Sequence, residues 1–70
     1  MRILVVEDEP RLQHLLERGL REEGHRVDVV GTLADARERL ALRDDELVVL
    51  DRGLPDGDGL DLVRALRRAG

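Results

Sequence analysis

The sequence predicts an α/β fold with a parallel sheet. Two apolar runs and a regular strand–helix alternation predict it. Ile3, Leu4, Val5 and Val6 form one run, and Leu47, Val48, Val49 and Leu50 form the other. Neither run alternates with polar residues, as expected of strands buried on both faces. Helical stretches lie between and after them, at a spacing that implies right-handed crossovers between parallel neighbours. With 70 residues the chain makes at most one domain, and a unit of that size buries only about 60% of its unfolded surface.

Each element has a local reason. Residues 2–7 read as the first strand. Pro10 suits the first position of a helix, where its missing N–H is no loss. Leu12, Leu15, Leu16 and Leu20 then mark one helical face, with Gly24 as its carboxyl-terminal cap. Residues 25–30 alternate, with Val27 and Val29 on one side, and read as a second, more exposed strand. Thr32 can cap the next helix, with Asp35 three residues on in the position of the capping-box acid. Leu33, Ala36, Leu40 and Ala41 supply that helix's inner face, and Asp44 and Asp45 break it. The second apolar run is the third strand, and residues 54–59 form a loop. Asp58 caps a third helix whose apolar side is Leu62, Val63 and Leu66. The result is βαβαβα, six elements with no linker or repeat.

Both apolar runs end in acids: Glu7 and Asp8 after the first, Asp51 after the second. If those strands are parallel neighbours, their backbones lie only about 5 Å apart and their carboxyl ends coincide. Three carboxylates would then share one crevice, where like charges oppose one another's ionisation unless a cation neutralises them. An all-oxygen cluster suits a hard divalent ion, with magnesium before calcium if water and phosphate complete its shell.

Composition narrows the classes. The hydrophobic fraction is 41%, but Phe, Trp and Tyr are absent, so Leu, Val and Ala must fill the core. Without Cys there is no disulfide framework and no thiolate metal site. No apolar run approaches membrane-spanning length, and Glu7 and Asp8 interrupt what would be a signal peptide. A soluble, cytoplasmic protein with no membrane contact is expected. A net charge of −4 argues against nucleic-acid binding by this segment. All twelve basic residues are Arg, none is Lys, Ser is absent, and Thr32 carries the only side-chain hydroxyl.

Three strings in order resemble one family: Val6, Glu7, Asp8, Glu9, Pro10; then Gly24, His25 and Val27; then Leu50, Asp51, Leu54, Pro55, Asp58, Gly59. Together they resemble the CheY-like receiver domain of bacterial two-component response regulators, most of all the branch with a winged-helix transcription output. The resemblance implies a flavodoxin-like, doubly wound sheet whose full strand order is 2-1-3-4-5, an order already attached to a chemotaxis receiver in the general rule for such folds. Here it would be truncated to order 2-1-3, with the family's fourth and fifth strands missing, so that residues 1–70 are a partial receiver of three βα units. It also implies that Asp51 is the phosphoacceptor, taking a phosphoryl group from a sensor histidine kinase. Asp8 would bind magnesium directly, Glu7 directly or through water, and Gly53 through its backbone carbonyl.

The chain departs from that family. A hydroxyl ending the fourth strand and a Lys ending the fifth normally bind the phosphoryl oxygens, and nothing in these 70 residues replaces them. Arg52 stands where an apolar residue is usual. Truncation would leave the third strand as an edge open to pairing, so a homodimer or other edge-strand association is expected. Part of the sheet's first-helix face would also lie bare. The alternative function is therefore a protein-interaction or self-assembly module without phosphotransfer competence.

Several single residues admit competing readings. Glu7, Asp8 and Glu9 also favour the positive end of the first helix dipole, which is compatible with a metal role. Asp56 and Asp58 invite a calcium loop, but Leu60 and Arg67 stand where its acids belong. A metal-dependent enzyme of topoisomerase-primase type would use Glu7 with Asp56 and Asp58, which lie in a Pro-Gly loop beyond the strand. His14 and His25 read as solvated, and Arg64, Arg67 and Arg68 as a solvated strip near the last helix's carboxyl end.

Overall fold

The computed structural model describes residues 1–51 and 53–69. It contains β1 (Arg2–Val6), α1 (Pro10–Glu22), β2 (Arg26–Val30), α2 (Leu33–Ala41), β3 (Leu47–Leu50), β4 (Gly53–Leu54), β5 (Gly57–Asp58) and α3 (Gly59–Ala69). The main sheet has the order β2-β1-β3, and both pairings are parallel. The described residues thus form a parallel α/β unit of the predicted 2-1-3 order, as in the first three strands of a flavodoxin-like sheet. Arg52 lies outside the described residues.

β1 is the central strand and is buried on both faces. Leu4 and Val6 point to one side, into a cluster with Leu33 and Ala36 of α2, Leu54, and Leu62 of α3. Ile3 and Val5 point to the other, packing with Val27 and with Leu16 and Leu20 of α1. This two-sided burial is why the run carries no polar alternation.

Helix ends follow the local chemistry. Glu9, not an earlier acid, caps α1, its carboxylate accepting from the N–H groups of Arg11 (3.2 Å) and Leu12 (2.9 Å). Thr32 Oγ1 accepts from the Asp35 N–H at 3.1 Å, as the cap expected for α2. Asp58 Oδ1 accepts from the Leu60 N–H at 2.9 Å at the start of α3. α1 ends through Gly24, whose N–H donates to the Arg21 carbonyl at 2.9 Å.

Four expectations need correction. Within α1 only Leu16 and Leu20 reach the sheet, whereas Leu12 is 44% and Leu15 67% exposed. At about 100° per residue, Leu12 and Leu15 stand roughly 60° and 120° from the midline of Leu16 and Leu20. A stripe that wide overhangs a three-stranded sheet. The second helix ends before Asp44, at Leu42 and a left-handed Arg43 (φ +57°), and Ala41 is exposed. Leu66 is 41% exposed, so α3 buries mainly Leu62. The stretch read as a plain loop contains the antiparallel β4–β5 hairpin, with Gly53 beside Asp58 and Leu54 beside Gly57. Two-residue strands leave too short a pattern to read.

Candidate metal centre

The register of β1 and β3 assembles the site. Val6 pairs with Leu50, so the residues that follow each strand emerge at the same end of the sheet. The Asp51 N–H donates to the Val6 carbonyl and the Glu7 N–H to the Val30 carbonyl, each at 3.0 Å. Both acids therefore start from hydrogen-bonded backbone. One carboxylate oxygen from each of Glu7, Asp8 and Asp51 lies within 4.8 Å of the other two. The juxtaposition expected from the two apolar runs is present.

The three acids differ in setting. Glu7 is 7% exposed, Asp51 is half-buried, and Asp8 is exposed. Burial pushes the Glu7 carboxyl above its ordinary value, and the neighbouring Asp51 and Asp8 push it further. The Glu9 N–H, which donates to Glu7 Oε2 at 3.2 Å, pulls the other way without winning. Gln13 fixes the same residue from below, its side-chain amide donating to the Glu7 carbonyl. The sequence reading missed Gln13. Its position one turn into α1, beside the buried stripe, is the signal that could have found it.

Gly53 is exposed and begins β4, and its N–H donates to Asp51 Oδ1 at 3.3 Å. Asp56 and Asp58 do not join Glu7. Asp56 accepts from the N–H groups of Leu33 (2.7 Å) and Ala34 (3.0 Å) at the start of α2. These bonds hold its carboxyl below the usual value. Asp58 caps α3, so both the calcium-loop and the topoisomerase-primase arrangements lose their ligands. His14 is exposed as expected, but His25 is half-buried, with Nδ1 shut off from solvent and unpartnered among the described residues. Arg64 pairs with Asp61 at 3.5 Å on an exposed face.

The donor set fits a hard divalent cation: three carboxylates from the ends of two adjacent strands, and no nitrogen or sulfur ligand in the group. A cation there would offset the burial and the neighbouring carboxylates that together raise Glu7, and the N–H and amide contacts around Glu7 supply the outer support such sites use. Among the described residues no helix is long and apolar enough to cross a membrane.

Comparison with known proteins agrees with this geometry. Residues 3–70 match the family model described as the response regulator receiver domain. The chain is 47% identical, over its whole length, to the two-component response regulator PhoP of Pseudomonas aeruginosa, of which it covers 31%. It is 51% identical over 97% of its length to the transcriptional regulatory protein TcrA of Mycobacterium tuberculosis, covering 27% of that protein. Among solved structures, the response regulator MaeR bound to beryllium trifluoride superposes with a TM-score of 0.92 at 39% identity, over 99% of this chain and 58% of that one. The chain thus spans between a quarter and a third of the length of these curated relatives.

Proposed function

The chain belongs to the response regulator receiver domain family, and on that premise we propose that Asp51 is its phosphoacceptor and that Glu7, Asp8, Asp51 and the Gly53 carbonyl hold magnesium beside it. The supporting observation is the convergence of three carboxylates from the ends of two adjacent parallel strands. Residues 1–70 are read as the first three βα units of a receiver that serves a cytoplasmic two-component system.

In this reading the Asp51 carboxylate attacks the phosphorus of a phosphohistidine on a sensor histidine kinase. The new O–P bond forms as the P–N bond breaks, leaving an aspartyl phosphate here and, with a proton already on the other ring nitrogen of the phosphohistidine, a neutral imidazole on the kinase. Magnesium, when bound, neutralises charge on both the attacking carboxylate and the phosphoryl oxygens. The chain's own contribution is positioning. Strand pairing aims Asp51 at the notch, and Glu9 and Gln13 orient Glu7 within it. The domain acts as a signalling switch, and by analogy with the named relatives its output is transcriptional.

A distinguishing test uses acetyl phosphate. In a chain extended by the matching remainder of a related receiver, an acid-stable, hydroxylamine-sensitive adduct should form on Asp51, and Asp51→Asn should abolish it. Labelling that persists in Asp51→Asn places the nucleophile elsewhere. The 70-residue chain alone should form little or no adduct, because it contains no Lys or Ser and its single hydroxyl, Thr32, caps α2.

β3 is unpaired on its outer side among the described residues, which favours a second reading. In it the unit is an interaction or self-assembly module without phosphotransfer competence, and the acidic notch is a vestige.

A further inference from the structure

Residues 53–59 leave the notch as a hairpin and return to it at the first turn of α3. Three contacts hold that excursion in place. Leu54 is buried in the cluster formed by Leu33, Ala36 and Leu62. At the hairpin tip, Asp56 accepts two N–H groups from the first turn of α2. At the return, Gly59 sits so close to β3 that an added Cβ would stand 2.5 Å from the Asp51 carbonyl oxygen and 2.9 Å from Leu50 Cγ. The first of these neighbours is backbone, which cannot swing aside. Gly57 is under a similar limit, since its φ is +149° and a Cβ there would meet Leu33 Cδ1 at 2.8 Å.

We propose that this segment is a brace that positions Asp51 for the cation, with Asp56 and Gly59 as its two positioning residues. It rests on the metal reading above and deepens it. The Asp51 peptide is held from one side by its N–H bond to Val6 and from the other by the start of α3 at Gly59. The hairpin in between is tied to α2, which packs on β1, the strand that carries Glu7 and Asp8. The brace thereby links the two halves of the acidic trio through a path separate from the β1–β3 ladder. A carboxylate shared with a divalent ion tolerates misplacement of only a fraction of an ångström, so loosening either pin should weaken binding without unfolding the chain.

Magnesium titration followed by backbone amide resonances tests this. Wild type should respond at Glu7, Asp8 and Asp51, and Gly59→Ala should bind at least about tenfold more weakly while still unfolding cooperatively. Alanine favours helix over glycine, so weakened binding could not be assigned to a poorer α3. Asp56→Ala should show the same direction, and Asp56→Asn, which keeps one acceptor oxygen for α2, should recover most of the affinity. Val63→Ala, on α3 but outside the brace, should leave the affinity within about twofold of wild type. Wild-type affinity in both Gly59→Ala and Asp56→Ala would overturn the proposal, as would an equal loss in Val63→Ala. If Gly59→Ala does not fold, the Asp56 pair decides. If wild type itself shows no magnesium response, the metal reading fails. The brace is then judged on hydrogen exchange of the Asp51 amide, where faster exchange in Asp56→Ala supports it and an unchanged rate refutes it.

Discussion

Glu7 stands between two demands: its burial and its two acidic neighbours disfavour its charge, whereas a divalent cation would require it. Glu7→Gln removes the charge at nearly constant shape. The metal-free chain should therefore gain thermal stability, while magnesium binding weakens by at least about tenfold. Parallel thermal melts with and without magnesium check both directions, and a variant that melts lower without metal would contradict the assignment. Asp56 shows the opposite shift. Its folded-state carboxyl lies below the ordinary value of 3.8 because the Leu33 and Ala34 N–H groups favour the charged form. In the window below 3.8 the unfolded chain binds more protons than the folded one. Its stabilising effect is thus fully present above that value and is lost as pH falls through the window. Asp56→Asn should flatten the acid limb of the melting temperature as pH falls below 3.8. The meeting of Glu7, Asp8 and Asp51 was legible because they follow directly on the two apolar runs. Asp56 was not, because its partners in α2 lie more than twenty positions away in sequence and no local pattern announces such a contact.

Elements were legible where the period was long enough to speak. α1 and β1 follow from a leucine stripe and an unbroken aliphatic run, and Thr32 and Asp58 cap the helices they were expected to cap. The β4–β5 hairpin escaped because two-residue strands carry no period, and Leu12 and Leu15 misled because a helix stripe can be wider than the sheet beneath it. The end of α2 shows a different limit. Nothing in the identity of Arg43 announces a left-handed backbone, yet its φ is +57°. Non-glycine residues hold that conformation at roughly 1 kcal/mol or more, so Arg43→Gly should raise stability by about 1 kcal/mol in a denaturant titration. An unchanged or lower midpoint would mean that Arg43 makes compensating contacts. At the other end of the same helix, Thr32→Ala should cost about 1 kcal/mol through loss of the cap.

At the scale of the molecule, the deciding fact is that β1, the best-buried strand, lies at the centre of the three-stranded sheet formed by the described residues. Strand order could be inherited from the family resemblance because crossover rules leave few choices once three βα units are recognised. β3 becomes an edge, unpaired on its outer side among the described residues, with Leu47 47% exposed. Leu12, Leu15 and Leu66 add further exposed apolar surface. Such an edge templates pairing, so light scattering at micromolar concentration should report self-association, and Leu47→Lys should reduce it. A compact wild-type monomer would contradict the edge argument. Glu7, Asp8 and Asp51 share one notch, and manganese, as a paramagnetic stand-in for magnesium, tests that arrangement through the broadening of amide resonances. Broadening should be confined to the ends of β1 and β3, around Glu7, Asp8 and Asp51, and should be lost in Asp8→Asn. Broadening centred on another group of acids, or a response unaffected by Asp8→Asn, would contradict it.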